Sequence, residues 1–223
     1  MINLIHGDCL EKMKDIPDGS VDMILSDIPY GEVNQKSSGL RKLDREDADY
    51  CNFDLEEMVS ECIRICSGSF YIFCGIGQIS DIDKSFRNRK MTTRLCQWEK
   101  TNPSPMNGNR LWLSGSEFCV FSRKSNATFN RHCEKPIWKF SVGRSKIHPT
   151  EKPVELMKYI IESSSNEGDT VLDFTMGSGT TGVAAKQLNR NFIGIELNEK
   201  YFNIAQERIE NTITGVLSND LFE

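Results

Sequence analysis

The sequence predicts an α/β fold with a mostly parallel sheet and helices on both of its faces. Its strand candidates, such as VDMILSD (21–27) and SFYIFC (69–74), are continuously apolar. Continuous rather than alternating apolarity indicates strands that are buried on both faces, as in a parallel sheet. Strand and helix candidates alternate along almost the whole chain, which is typical of a doubly wound layer. A chain of 223 residues suits one core, so we expect a single domain over 1–223.

Local signals place the elements in the first part of the chain. NLIHG (3–7) predicts a strand, and Asp8 is suited to cap a following helix, with Glu11 three residues further on. PDGS at 17–20 predicts a turn before the first long apolar strand. Residues 31–53 are polar and densely charged, so we expect a long loop there.

The second part of the chain alternates helices and strands around two irregular segments. One is the Pro-, Gly- and Asn-rich stretch NPSPMNGNRLWLSGS, and the other is the basic stretch 122–147, in which Trp138 and Phe140 are interleaved. Apolar spacing and flanking turn residues predict the regular elements. These are helices over 55–66, from near Pro153 and over 199–212, and strands over 69–74, 94–98, 117–121, 170–174 and 191–196.

Composition is that of an ordinary folded protein, with 38% hydrophobic and 26% charged residues. No apolar stretch approaches the roughly 20 residues that span a bilayer. The N-terminus carries an acid where a secretory signal carries Lys or Arg, so we expect no membrane contact and a cytoplasmic location. Eight cysteines without a CxxC pair favour reduced thiols. Cys62 and Cys66 are one helical turn apart, but no neighbouring His completes a ligand set, so we expect no metal site.

The distribution of charge is more informative than the net charge of −5. Residues 84–152 contain 15 Lys and Arg, 4 Glu and no Asp, a local charge of +11, whereas the remainder of the chain carries −16. Such asymmetry points to a face that binds a polyanion. The alternative interpretation is a solvated surface without a partner.

A small-residue turn between a strand and a helix is a candidate cofactor cradle. TVLDFTMGSGTTGVAAKQL (170–188) has this order, and ligands of open α/β sheets bind beyond the carboxyl ends of the strands. Gly177 and Gly179 permit close backbone approach, and the N–H groups that open the helix attract a carboxylate or phosphate. Glu196 ends the next strand, 23 residues after Asp173, where an acid can accept both ribose hydroxyl hydrogens.

The residues after the glycines narrow the choice of cofactor. Thr180 and Thr181 follow Gly179 where a Walker turn has Lys, which disfavours ATP. A nucleoside cofactor without a pyrophosphate, S-adenosylmethionine, fits this turn and the acid at Glu196. The alternative interpretation is that the glycines only close a tight turn.

Four motifs in order, SDIPYG, HPTEKPVEL, VLDFTMGSGTT and FIGIELNEKYFNIAQERI, resemble the DNA amino-methyltransferases that modify adenine N6 or cytosine N4, and the match extends through three further stretches. The catalytic motif precedes the cofactor turn, an order that looks like the permuted group of that family. The resemblance implies a Rossmann-like sheet of seven strands with one antiparallel strand, S-adenosylmethionine as methyl donor, and a base flipped out of double-stranded DNA as substrate. The motifs and the further stretches are GDCLEKMKDIPDGSVDMILSD, SDIPYG (26–31), WEKTNPSP, SEFCVFSRK, HPTEKPVEL (148–156), VLDFTMGSGTT (171–181) and FIGIELNEKYFNIAQERI (192–209).

The same resemblance implies the site residues. Family members usually have Pro where this chain has Ile28 and Phe where it has Thr175, and the second departure removes a ring that packs on the cofactor, for which Phe174 partly compensates. The implied catalytic residues are Asp27, Ile28, Pro29 and Tyr30. The implied cofactor-binding residues are Asp8, Asp27, His148, Thr150, Lys152, Asp173, Thr175, Met176, Gly177, Ser178, Gly179, Thr180 and Glu196.

The tetrad Asp27–Tyr30 suits chemistry on an exocyclic amine, whose lone pair is delocalised into the base. If the Asp27 carboxylate and the Ile28 carbonyl both accept amino hydrogens, the nitrogen is drawn toward tetrahedral geometry and its lone pair becomes available. Pro29 restricts the backbone of the residue before it, and Tyr30 offers a ring on which an extruded base stacks. Asp27 either accepts the leaving proton or only orients the amine. The alternative interpretation is a structural loop of ordinary turn residues in which the Tyr30 ring packs against its neighbours.

The sequence leaves several functions open. Asp at the head of the tetrad favours an adenine N6-methyltransferase over a cytosine N4 enzyme, and a non-catalytic nucleic-acid-binding subunit is a further alternative. The segments 31–53 and 101–147 are candidate DNA-contacting loops, in which Arg110 and Trp112 either reach the duplex or pack within the loop. A homodimer would enlarge the DNA footprint of a short chain, although no residue pattern requires one.

Overall fold

The computed structural model describes residues 1–30, 54–105, 108–143 and 151–215. In these ranges the chain forms one sheet of eight strands with six helices around it. The strands are β1 (Ile2–His6), β2 (Val21–Asp27), β3 (Cys66–Cys74), β4 (Thr92–Lys100), β5 (Ser116–Arg123), β6 (Ile137–Phe140), β7 (Thr170–Asp173) and β8 (Asn191–Glu196). The helices are α1 (Cys9–Met13), α2 (Leu55–Ile65), α3 (Ile76–Asn88), α4 (Val154–Ser164), α5 (Thr180–Gln187) and α6 (Glu199–Glu210). No helix in these ranges has the length and apolarity needed to cross a bilayer.

The strand order is β1-β8-β7-β2-β3-β5-β4-β6, and β5 runs antiparallel to both of its neighbours while the other pairings are parallel. The mostly parallel α/β fold with one antiparallel strand is therefore confirmed. The described sheet has eight strands instead of the seven that the family resemblance implied, and β6 lies at its edge.

Strand β6 corrects the expectation that 122–147 is irregular throughout. It pairs in parallel with β4, so that Trp138 lies beside Trp98. The Trp98 indole N–H donates to the Phe140 carbonyl at 3.0 Å. Trp138 is buried in the core, and it is therefore not part of an exposed basic face. Ser122 and Arg123 also belong to a regular element, the end of β5.

The core has two layers, one on each face of the sheet. Helices α1, α2 and α3 cover one face, where Met13, Met58 and Phe86 are fully buried. Helices α4, α5 and α6 cover the other face, where Ile160 and Ala205 are fully buried. Successive residues of the central strands pack in opposite core layers, because side chains alternate between the two faces along a strand. This explains why the central strands are continuously apolar.

Helix α3 was not anticipated from the sequence. Only Ile82, Ser85 and Phe86 of its 13 residues are buried, but Ile79, Ile82 and Phe86 recur at helical spacing, so the sequence did carry a helical signal here. Its neighbour α2 also ends one residue earlier than expected, because Cys66 already belongs to β3.

The carboxyl ends of the parallel strands lie at one edge of the sheet. Asp27 ends β2, Asp173 ends β7 and Glu196 ends β8. Asp8 follows β1 at the same edge and caps α1, its carboxylate accepting from the Glu11 N–H at 3.1 Å. The fold therefore gathers the acids that the sequence singled out.

Candidate active site

The loop that follows β2 is fixed by backbone and side-chain hydrogen bonds. The Ile28 N–H donates to the Phe73 carbonyl at 3.1 Å, and the Ile28 side chain is buried. Gln78 of α3 donates from its amide to the Pro29 carbonyl at 3.0 Å. None of the hydrogen bonds among described residues is received by the Ile28 carbonyl, which leaves this oxygen available to a ligand.

The side chain of Tyr30 is hydrogen-bonded to the Asp27 carboxylate. Its hydroxyl lies 2.9 Å from Asp27 Oδ1 and 3.3 Å from Glu117 Oε2. A hydroxyl carries a single proton, so the shorter contact is the stronger hydrogen bond. Gly75 permits this placement, since a Cβ there would lie 3.2 Å from Tyr30 Cβ. Burial and the neighbouring Asp27 raise the pKa of Tyr30, so it remains a neutral donor.

Lys152 inserts a buried ammonium between two carboxylates. Its Nζ contacts Asp27 Oδ2 and lies 2.9 Å from Glu117 Oε2. It also lies 5.2 Å from the centre of the Phe73 ring. Only 6% of the Lys152 side chain is exposed. Burial opposes the charged form, but the two carboxylates outweigh it and raise the pKa of Lys152.

Glu117 and Lys100, which the sequence reasoning missed, complete this cluster. They lie at the base of the β4–β5 hairpin, and Lys100 Nζ is 2.6 Å from Glu117 Oε1. Burial raises the pKa of the Glu117 carboxyl, but Lys152 and Lys100 outweigh this effect and hold it below its ordinary value. The sequence did offer a signal for Glu117, because it is a charged residue near the start of the otherwise apolar strand β5.

Asp27 lies at the centre of these contacts and remains partly accessible, with 33% of its side chain exposed. Burial raises the pKa of its carboxyl, although the Lys152 ammonium opposes this effect. The result is a carboxylate that is held on both oxygens and still open to an incoming donor. This arrangement suits a group that orients a hydrogen-bond donor and accepts a proton.

The cofactor turn after β7 needs glycine at two positions. Gly177 and Gly179 have φ values of 53° and 83°, in the left-handed region that glycine tolerates best. A Cβ on Gly179 would also lie 2.9 Å from the Ala205 Cβ, whereas a Cβ on Gly177 would meet nothing within 4 Å. Gly179 therefore lets α5 approach α6, and Gly177 borders open space.

Glu196 ties this turn to β8. One carboxylate oxygen accepts from the Gly177 N–H at 2.9 Å and the other from the Asn198 N–H at 2.8 Å. Only 9% of Glu196 is exposed, and this burial raises its pKa. The Gly7 N–H donates to the Glu196 carbonyl at 3.0 Å, which brings the adjacent Asp8 to the same part of the edge.

Asp173 faces inward and organises the turn. Its carboxylate accepts from the Ser26 hydroxyl at 2.7 Å, the Thr181 hydroxyl at 2.6 Å and the Thr175 N–H at 3.2 Å. Burial raises the pKa of Asp173 to about 6. The internal contacts make it a support for the strand ends.

Thr175, which stands where the family usually has Phe, has a role of its own in this chain. Its hydroxyl donates to the Asp27 carbonyl at 3.1 Å and is 2.7 Å from the Ser26 hydroxyl. The turn after β7 is thereby hydrogen-bonded to the end of β2. A phenylalanine cannot make these bonds.

Glu151 is a further residue that the sequence reasoning missed. One of its oxygens accepts from the Thr180 hydroxyl at 3.0 Å and from Arg208. Arg208 also donates to the Ser178 carbonyl at 2.7 Å and to the Ser178 hydroxyl at 2.8 Å. The second oxygen, Oε2, is buried and has no hydrogen-bond partner among the described residues. A buried unpaired carboxylate oxygen is costly, so this oxygen suits a cationic ligand group.

The chain thus offers what an amino-acid-bearing nucleoside requires. Glu196 supplies an acid for ribose hydroxyls, Gly177 borders open space, and Glu151 Oε2 is suited to an ammonium group. The buried Met176 lies under the turn, close to Gly194. His148 and Thr150 lie outside the described residues, as does the segment 31–53.

Internal contacts occupy many of the basic side chains between 84 and 152. Lys100, Arg87, Arg89, Arg131, Lys139 and Lys152 form ion pairs, and Arg94, Arg123 and Lys124 donate to backbone carbonyls. In the described part of the chain, Lys84, Lys90, Arg110 and Lys135 are exposed and have no such partner. Trp112, next to Arg110 and Leu111, is 99% exposed.

Comparison with known proteins identifies the family of this chain. The family model N6_N4_Mtase, described as DNA methylase, matches residues 21–207. The chain therefore belongs to this family, and it is an S-adenosylmethionine-dependent DNA methyltransferase.

Individual relatives are similar over most of the chain. The type II methyltransferase M.HinfI of Haemophilus influenzae is 33% identical over 92% of this chain and 67% of its own length. M2.DpnII of Streptococcus pneumoniae, also a type II methyltransferase, is 28% identical over 93% of this chain and 89% of its own. The crystal structure of the M1.HpyAVI–SAM complex superposes with a TM-score of 0.74 at 32% identity, covering 93% of this chain and all of the other.

Proposed function

We propose that this DNA methyltransferase modifies the N6 amine of an adenine that is extruded from double-stranded DNA. The observation that carries the proposal is the position of Asp27, a partly accessible carboxylate whose backbone is hydrogen-bonded to the cofactor turn through Thr175. When bound, S-adenosylmethionine supplies a methyl group on a sulfonium, which is an electrophile for an amine. The acceptor must therefore be presented beside that turn.

The chain's residues act on the amine in three ways. The Asp27 carboxylate and the Ile28 carbonyl accept its two hydrogens, which reduces delocalisation of the lone pair into the ring. Tyr30 provides a ring for stacking the extruded base. As the nitrogen gains a carbon bond it must release one proton, and Asp27 is the acceptor within hydrogen-bonding reach. Holding the reactants in line supplies much of the rate increase.

The cofactor is assigned to the edge formed by β1, β7 and β8. Glu196 accepts from the ribose, and the turn Thr175–Thr180 lies against the amino-acid part, with Glu151 Oε2 available to its ammonium. Asp8 lies toward the adenine end. Asp173 acts through the turn that it supports. His148 and Thr150 remain assigned to the methionine end, whereas the contacts of Lys152 favour a role beside Asp27.

Further parts of the proposal concern the partner and the whole chain. We assign DNA contacts to the exposed stretch around Arg110 and Trp112 and to 31–53, and we treat 1–223 as one methyltransferase domain.

A cytoplasmic location is supported by the seven described cysteines, which are all free thiols. Homodimerisation stays a prediction that the mass of the protein in solution, measured by light scattering, would test.

The proposal is tested by nucleoside analysis of DNA methylated by the purified protein. N6-methyladenine is the expected product, and N4-methylcytosine without N6-methyladenine would contradict the adenine assignment. Sequencing the same DNA for modified positions reports the recognition sequence.

Asp27→Asn tests the catalytic assignment. The amide keeps the shape of the side chain but removes its charge and its capacity to accept a proton, so we expect methylation to fall by at least about a hundredfold. Asp81→Asn, on the exposed face of α3, is the control and should remain as active as the unmodified protein. Activity of Asp27→Asn within threefold of the control would rule out the assignment.

A further inference from the structure

The contacts of Glu117 single it out among the groups around the catalytic carboxylate. It accepts from Lys152 at 2.9 Å and lies 3.3 Å from the Tyr30 hydroxyl. These are the two groups that also contact the Asp27 carboxylate. Glu117 therefore shares both donors with Asp27.

The charged cluster of Asp27, Glu117, Lys100 and Lys152 is electrically neutral only because Glu117 belongs to it. Asp27 and Glu117 carry two negative charges, and Lys152 and Lys100 carry two positive charges. Because 80% of the Glu117 side-chain surface and 94% of the Lys152 surface are removed from solvent, these charges are weakly screened. Without the Glu117 charge, Asp27 would be the one anionic partner of Lys152 among the described residues.

The competition for donors bears on the proposed chemistry. A carboxylate that receives a full ion pair on one oxygen and a hydroxyl on the other is a weak acceptor for a neutral amine. Glu117 divides the positive charge of Lys152 between two carboxylates, so Asp27 is a better acceptor than it would be as the single partner of that ammonium. We propose that Glu117 is a positioning residue, which holds Lys152 so that Asp27 can accept the hydrogens of the substrate amine.

This inference rests on the proposed role of Asp27 and extends it to β5. No covalent step is assigned to Glu117. Its neighbour Lys100 acts with it, since the 2.6 Å ion pair fixes the Glu117 carboxylate at the base of the hairpin. Arg110 and Trp112 lie on the loop of that hairpin, so the hairpin connects the exposed stretch to the catalytic cluster.

The sign of the pH effect follows from the groups around Asp27. The negative charge of Glu117 raises the pKa of Asp27, and the positive charge of Lys152 lowers it. Removing the Glu117 charge should therefore lower the pKa of Asp27, and the acid limb of activity should move to lower pH. Within the part of the chain that the structure describes, the titratable groups that face Asp27 are Tyr30, Cys74, Glu117, Cys119, Lys152 and Asp173.

The test is Glu117→Gln, which keeps the size of the side chain and an oxygen for Lys152 but removes the charge. We expect kcat to fall by about tenfold or more, with KM for DNA unchanged within about twofold. We also expect the acid limb of the kcat profile to move down by about half a pH unit or more. Glu117→Asp, which retains the charge, should return the limb to its original position.

Control variants separate this role from general damage. Glu99→Gln removes an exposed carboxylate of the same hairpin, which pairs with Lys139 at 3.2 Å, and should change neither kcat nor the pH profile. If Glu117→Gln does not fold, as judged by its thermal melting, the double variant Glu117→Gln with Lys100→Gln restores neutrality and takes its place.

The outcomes distinguish this inference from the proposed function. A lowered kcat with an unmoved acid limb would mean that Glu117 is only structural, and unchanged kcat would reject the inference outright. Asp27→Asn is measured in the same assay. If Asp27→Asn is inactive while Glu117→Gln behaves like the unmodified protein, the proposed function stands and only the inference fails.

Discussion

Glu151 has a buried carboxylate oxygen, Oε2, without a hydrogen-bond partner among the described residues. The other oxygen is held by Thr180 and Arg208, so the side chain is fixed in place. An ammonium group of a bound ligand would satisfy the free oxygen, and hydrogen bonds between charged groups contribute about 1.5–3 kcal/mol.

Glu151→Gln is therefore expected to weaken binding of S-adenosylmethionine by about tenfold to a hundredfold. The affinity for 5′-methylthioadenosine, which lacks the amino-acid part, should be nearly unchanged. Isothermal titration calorimetry measures both affinities without relying on activity.

The matched control is Glu155→Gln on α4, whose exposed carboxylate lies 3.5 Å from Lys158. It should bind both ligands as the unmodified protein does. Equal losses for both ligands in Glu151→Gln would show that the variant disturbs the turn as a whole and would contradict the specific contact with the amino-acid part.

The site residues differ in how far sequence could predict them. Asp27, Gly179 and Glu196 stand in local patterns, at strand ends and in a small-residue turn, and the structure places all three at one edge of the sheet. Glu117 and Glu151 act through contacts between elements distant in sequence. Such contacts depend on strand register and side-chain direction, which residue patterns do not encode.

At the scale of elements, the contact of α5 with α6 depends on Gly179. It has a φ of 83°, and a Cβ there would lie 2.9 Å from the Ala205 Cβ. The positive φ and the close contact both destabilise the folded protein if any other residue stands at position 179. Gly77 on α3 is the opposite case, because a Cβ there would meet nothing within 4 Å.

Gly179→Ala should lower the free energy of unfolding by about 2–4 kcal/mol, from backbone strain and overpacking. Gly77→Ala should raise it by about 0.5 kcal/mol, since alanine favours helix and restricts the unfolded chain. Urea unfolding followed by circular dichroism measures both changes. A Gly179→Ala protein as stable as the unmodified one would show that α5 and α6 adjust without cost.

Most elements with periodic signals were predicted, and the exceptions are β6 and α3. β2 and β8 were predicted because strands covered on both faces are largely apolar. β6 has only four residues, of which Trp138 is buried, so its pattern is too short to separate from a loop. α3 has Ile79, Ile82 and Phe86 at helical spacing, so the sequence did predict this helix and the signal was missed.

For the whole molecule, internal pairing reduces the number of basic groups that can meet DNA. Arg87 is engaged by Asp83 at 2.8 Å, whereas Arg110 is exposed and has no ion-pair partner among the described residues. Only a cation that is free to neutralise a phosphate releases counterions from DNA.

Arg110→Ala should therefore weaken DNA binding and reduce the slope of log affinity against log salt by about 0.9 for one lost phosphate contact. Arg87→Ala should leave the slope unchanged. Fluorescence anisotropy with a labelled duplex at several salt concentrations gives both slopes. Identical slopes for the two variants would remove Arg110 from the DNA interface.

The hydrogen bond from Thr175 to the Asp27 carbonyl joins the two halves of the site. If this turn holds the methyl donor and this strand end receives the base, as proposed, a ligand that orders one of them also restricts the other. By thermodynamic reciprocity, whatever factor the methyl donor contributes to DNA affinity is returned by DNA to the affinity for the donor. The threonine that replaces an aromatic residue in this chain would then serve cooperation between two ligands.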